Sequence, residues 1–277
     1  MPETPYTIFC HHGYDLINRL WKFGTERLLP AMFEPRHDKR RADIKRDIAV
    51  ISTYSRILDW LGSLERLNKT SDAQAIGAGA RSIFELYLDL RWFEKFSESE
   101  WAERWAAYPE VDKFQAAQKA VNHAANTPHS GLDATPHQGF MDRLNLKEPV
   151  EILVKRVWGA RPDGEPQWPG FHWTGQANLE KRAGLLGVTY QDAYRQIYPI
   201  LSSLVHPGPT AYLRKTFDQV EFHVGYAYFY TFKHAHDATS LAANLLGIAS
   251  RVEEFEASMQ QLIDWLNDAM ATLPPNQ

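Results

Sequence analysis

Residues 80–93, ARSIFELYLDLRWF, constrain the fold of this chain more than any other stretch. At about 100° per residue, Ile83, Leu86, Tyr87, Leu90 and Phe93 share one helix face, and Phe84, Leu88 and Trp92 share the opposite one. A helix that is apolar on both sides is buried on both sides. Arg81 and Glu85 fall on the second apolar face, one turn apart, so both are expected to be at least partly desolvated and largely buried, and a buried charge has to be paired. Two readings explain the pair equally well. One is an i,i+4 salt bridge tying helices together. The other is a polar site within the bundle, where Arg81 holds an anion or orients a catalytic group.

The remaining periodic stretches are also helical. Helices are expected from Asp15 to Leu29, from Asp38 to about Leu67, from Ser71 or Asp72 to about Phe96 and from Glu100 to about Ala125. They continue from Pro149 to about Val157, Asn178 to Leu186, Tyr190 to His206, Asp218 to Leu246 and Val252 to Leu273. Pro30 and Pro35 stop the first of them, and small polar residues cap several others. No stretch alternates with strand periodicity and no segment repeats. The expectation is an all-α fold, a multi-helix bundle of long antiparallel helices. It is expected as a single helical domain over residues 1–277, with N-terminal helices over 1–70, a motif-bearing core over 71–206 and a C-terminal helical hairpin over 217–273.

Composition narrows the function classes. Apolar residues make up 44% and aromatics 13% of the 277 residues, enough for a large core. A net charge of −4 argues against a surface that attracts nucleic acid in bulk, though a local basic patch is compatible with it. Cys10 is the single cysteine, which rules out an intrachain disulfide and makes a cysteine-based zinc site or iron–sulfur cluster very unfavourable. No basic segment followed by an apolar stretch opens the sequence, so no secretory signal is read there. The most apolar run, Val224 to Ala249, carries Lys233, His234, His236 and Asp237 at its centre and reads as a buried helix, not a membrane span. A cytoplasmic location without membrane contact fits these features.

Two segments are expected as loops. NTPHSGLDATPHQG, residues 126–139, is polar and rich in turn formers. WGARPDGEPQWPGFHW, residues 158–173, holds three prolines, three glycines and three tryptophans. Leaving three indoles in water is costly, so the favoured expectation is a loop pinned to the core by its tryptophans. The competing one is a lid over a pocket, with Trp173 against a ligand.

YPILSSLVHPGP, residues 198–209, closes a helix whose apolar stripe is Ala193, Tyr194, Ile197, Leu201, Leu204 and Val205. Ser202 and His206 stand one turn apart on another face, and Ser203 lies on the other side of His206. Pro199 deletes a backbone donor and is expected to bend the helix. His206 in the last turn meets the negative end of the helix dipole, which favours its cationic form. His206 either caps the final carbonyls or is poised for acid–base work beside the serines.

An Arg-x-x-x-Glu helix followed far downstream by YRQIYPILSSLVHP resembles a bacterial family known only as a domain of unknown function. The shared pattern is Arg81 and Glu85, Arg182 of EKRAGLLG, Tyr194 and Tyr198, then Ser203 and His206, and it covers roughly Asp72 to His206. More distantly the layout is similar to the HEPN superfamily of helical nucleotide-binding and ribonuclease domains. That resemblance implies a HEPN-like core and action on RNA or a nucleotide, as in stress or phage defence, by metal-independent cleavage through an Arg-polar-x-x-x-His motif. Ser202 and His206 fit the polar and histidine positions, and Leu201 stands where the arginine belongs. The pattern implies a site of His206, Ser203, Arg81 and Glu85, with Tyr194, Tyr198, Arg182, Ser202 and Trp173 against the ligand. The alternative is a non-enzymatic helical module that binds a small anionic ligand or a partner protein. A homodimer is compatible with either.

The other polar clusters read as structural. His234, His236 and Asp237, with His223 upstream, and His11, His12 and Asp15 have metal-ligand chemistry. They lack the Glu-x-x-His spacing of di-iron bundles, and satisfied core or surface histidines explain them better. No metal or cofactor is expected. RHDKRRADIKR, residues 36–46, has six basic residues, reads as a solvated face, and is the best candidate for phosphate contact. No glycine-rich phosphate loop or nucleophile elbow occurs.

Overall fold

Helical periodicity becomes helix almost everywhere it occurs. The structure is a computed structural model, and it describes residues 5–34, 41–67, 69, 72–127, 131–145, 148–176, 178–205, 217–260 and 264. The elements are α1 (Pro5–Phe23), a π turn (Gly24–Leu28), α2 (Leu29–Met32), α3 (Arg41–Leu64), α4 (Ala73–Lys95) and α5 (Ser99–Asn126). Then come α6 (Thr135–Asn145), α7 (Val150–Trp158), α8 (Leu179–Leu186), α9 (Val188–Val205), α10 (Phe217–Leu245) and a 3-10 turn (Ala249–Arg251). Residues 253–260 form α11. Among the described residues there is no strand, only an isolated bridge between Ala160 and Pro166. The fold is an all-α helical bundle, and no helix among the described residues is long and apolar enough to cross a membrane.

The chain divides into two compact units that interleave along the sequence. The first takes residues 1–39, 50–95 and 183–277, and the second takes 40–49 and 96–182.

In the first unit α4 is buried between α9 and α10, as its two apolar faces require. Ile83, Phe84, Leu88, Leu90, Trp92 and Phe93 are all within 2% of full burial. α9 packs antiparallel against it. Gly77 on α4 lies against Leu204, Arg81 meets Tyr198, and Tyr87 meets Tyr190. A Cβ at Gly77 would sit 2.7 Å from the Leu204 Cβ, so glycine is what lets the two helices approach there. α3 runs antiparallel to α1, with Gly62 over Trp21 and Gly24 over Leu58 and Tyr54. α10 adds buried aromatics, Phe229 and Phe232 touching Phe9 of α1.

The π turn follows from Pro30. Proline has no N–H to give the carbonyl four residues back, and its ring crowds that carbonyl. The chain widens by one residue ahead of it, and Leu29 donates to the Gly24 carbonyl instead. The first helix also begins at Pro5, ten residues before the expected start.

In the second unit α5, α6 and α7 bury Val111, Phe114, Ala117, Met141, Val150, Leu153, Val154, Val157 and Trp158. α6 corrects the expectation of a loop over 126–139. The Thr135 amide donates to Asp133 Oδ1 at 2.9 Å, which caps the start. Phe140, Met141 and Leu144 then pack on the unit's core. The tryptophan segment is pinned as expected. Trp158 is 7% exposed and donates its indole N–H to the Trp173 carbonyl at 2.9 Å, Trp173 is 4% exposed, and Trp168 stacks on Phe114.

Candidate functional site

The residues of the Arg-x-x-x-Glu and Tyr…Tyr motifs meet along the α4–α9 interface of the first unit. On α9, Tyr190, Tyr194 and Tyr198 recur every fourth residue and so form a stripe up one face. The Tyr194 and Tyr198 rings stack at 4.8 Å between centroids. α4 supplies an arginine at each end of the stripe. The Arg81 guanidinium lies 4.7 Å over the Tyr198 ring, and that of Arg91 lies 5.7 Å over Tyr190 and 5.2 Å over Tyr87.

Each arginine is also held by a carboxylate of its own helix. Arg81 Nε donates to Glu85 Oε1 at 3.0 Å, and Arg91 Nη1 donates to Glu94 Oε2 at 2.7 Å. Tyr198 Oη donates to the same Glu85 oxygen at 3.4 Å, and Arg91 Nε donates to Tyr87 Oη at 2.9 Å. Burial, reinforced by the Glu85 charge, pushes the Tyr198 hydroxyl up to about 12, so it stays a donor at neutral pH. The Arg81 and Glu85 side chains are 27% and 34% exposed. They are paired as expected and partly desolvated, with more solvent contact than a doubly buried face implies.

The end of α9 is organised differently. Leu201 is fully buried, filling a core position where a ribonuclease motif would need an arginine. Ser203 is exposed and donates its hydroxyl to the Ile200 carbonyl at 2.8 Å, and Ser202 is half-buried. His206 lies outside the described residues.

Arg182 and Trp173 belong to the second unit. Arg182 is 6% exposed, and its guanidinium hydrogen-bonds His172 Nε2. The other ring nitrogen, Nδ1, lies 2.9 Å from Thr174 Oγ1 and accepts the Thr174 backbone N–H at 3.3 Å. Tyr108 stands beside this group, its hydroxyl pushed up to about 12 by burial and by Asp112. Sequence reading missed His172 and Tyr108; the only signal was a histidine between two aromatics in a loop of tryptophans.

His234 of the downstream histidine cluster is part of the core. His234 is 3% exposed, between the Tyr87 and Tyr230 rings and against Phe84. Among the described residues no three His, Cys, Asp or Glu side chains gather closely enough to hold a metal ion. The side chains of His11 and His12 lie outside them. In the basic stretch, residues 36–40 lie outside the described residues, and Lys45 pairs with Glu103 at 2.6 Å.

Residues 47–223, well over half of the chain, match a family of unknown function, DUF5677. The chain belongs to the DUF5677 family. The DUF5677 segment takes in α4, α9 and the whole Arg–Glu–Tyr seam, and it extends past the span of the sequence pattern at both ends. No curated protein and no solved structure matches the chain.

Proposed function

We propose that this DUF5677 protein is a helical module that binds single-stranded RNA along the α4–α9 seam without cutting it. The observation that carries the reading is the stripe of Tyr190, Tyr194 and Tyr198 with an arginine over each end. Aromatic faces stack on any base, and guanidiniums beside them take the phosphates; this combination binds single strands with little sequence preference. Glu85 and Glu94 hold the two arginines in place beforehand, which lowers the entropy lost on binding. With a net charge of −4 the attraction is local to the seam. Binding without cleavage is favoured over the HEPN-like ribonuclease reading because buried Leu201 stands at the arginine position of that motif.

The test is fluorescence anisotropy of a short labelled single-stranded RNA, with the same RNA followed on a denaturing gel. Saturable binding is expected, weakened in Tyr198→Ala by about 1–3 kcal/mol, one lost stacking platform. Arg81→Ala should weaken binding and flatten its salt dependence by somewhat under one unit of log–log slope. RNA that does not bind, or that is cleaved, overturns the reading.

A further inference from the structure

A polar cleft in the first unit shares no lining residue with the seam. It is open, has a volume of about 520 Å³, and is built where the π turn meets the 3-10 turn and α11. That volume is within the range of small-molecule sites. Phe23 and Phe255 form one wall, with rings stacked face to face at 4.0 Å and within 2° of parallel. Arg27 enters from the π turn and Arg251 from the 3-10 turn. Arg251 is steadied by Glu34 at 3.2 Å, whereas Arg27 has no carboxylate partner among the described residues. Ser250, Ser258 and the Glu254 carboxylate complete the lining.

We infer that this cleft binds a nucleoside monophosphate. Two guanidiniums on one cleft suit a phosphate dianion, which takes forked N–H donors on several oxygens at once. The stacked phenylalanines offer an apolar wall for a planar base. Glu254 would repel a bare anion, but a carboxylate is the acceptor that ribose hydroxyls require, so the ligand has to carry hydroxyl donors as well as negative charge. The π turn gives the arrangement its reason. The extra residue ahead of Pro30 sets the position of Arg27 relative to Phe23, and single π turns are frequent at functional sites.

The experiment is isothermal titration calorimetry with AMP, GMP, CMP and UMP, and with inorganic phosphate and adenosine as separate arms. At least one monophosphate should bind saturably, and more tightly than phosphate or adenosine. Arg27→Ala and Arg251→Ala should each weaken it by about tenfold or more. Glu254→Gln should weaken the monophosphate while strengthening or sparing inorganic phosphate. Arg27 and Arg251 are both exposed, so these variants keep the fold, which circular dichroism verifies. Arg81→Ala should bind the monophosphate as the parent does. A monophosphate that does not bind, an Arg27→Ala variant that binds it unchanged, or loss of binding in Arg81→Ala would each overturn the inference. The first two outcomes leave the RNA reading intact, because that reading is tested at Arg81 and Tyr198.

Discussion

His234→Phe separates the titration of one buried ring from every other acid-sensitive group in the protein. His234 is 3% exposed and enclosed by Phe84, Tyr87 and Tyr230. Burial lowers its pKa to about 3, against an unfolded value of about 6.5, with Asp237 opposing and Lys233 reinforcing the shift. The folded ring is therefore neutral, and below about pH 6.5 only the unfolded chain takes up the proton. The stability tied to neutral His234 is complete above that pH and is lost progressively as pH falls toward 3. At 1.36 kcal/mol per pH unit, the loss between pH 7 and pH 5 is about 2 kcal/mol. Phenylalanine keeps a ring in the stack and does not titrate. Urea denaturation at both pH values should show the parent losing about 2 kcal/mol more than His234→Phe, since the carboxylates titrate alike in both. Equal losses would show that the ring is protonated or solvated in the folded protein, and would refute the packing argument.

Two further substitutions test the seam as structure. Glu85→Gln should cost about 1 kcal/mol in thermal or urea unfolding, between an exposed ion pair and a stranded buried charge, because the pair keeps 27% and 34% of its side-chain surface in water. A loss of about 4 kcal/mol would mean the pair is far drier than this. Gly77→Ala should destabilise by about 1–2 kcal/mol despite alanine's better helix propensity, because its Cβ would lie 2.7 Å from the Leu204 Cβ. A stabilised variant would mean that α9 can retreat from α4 without loss.

What the sequence determined by itself was local. Periodicity identified the helices and showed that α4 is buried on both sides, because an apolar face is a property of one helix and its spacing. The same logic failed at α6, where short polar residues hid a capped helix whose apolar side shows only against α5 and α7. It also passed over the π turn, although Pro30 was the visible cause. The pairing of Arg81 with Glu85 was legible at one-turn spacing; its exposure was not, since a helical wheel carries no information on how much of a face the neighbouring helix covers. Tertiary structure alone decided that Arg81 lies over Tyr198 and Arg91 over Tyr190, which depends on the register of two helices about a hundred residues apart. That register is set where Gly77 lets Leu204 come close. Tertiary packing likewise placed Arg182 against His172 and gathered the Arg27 cleft from three short segments, because contacts of this kind are fixed by how elements dock and leave no periodic trace in the chain.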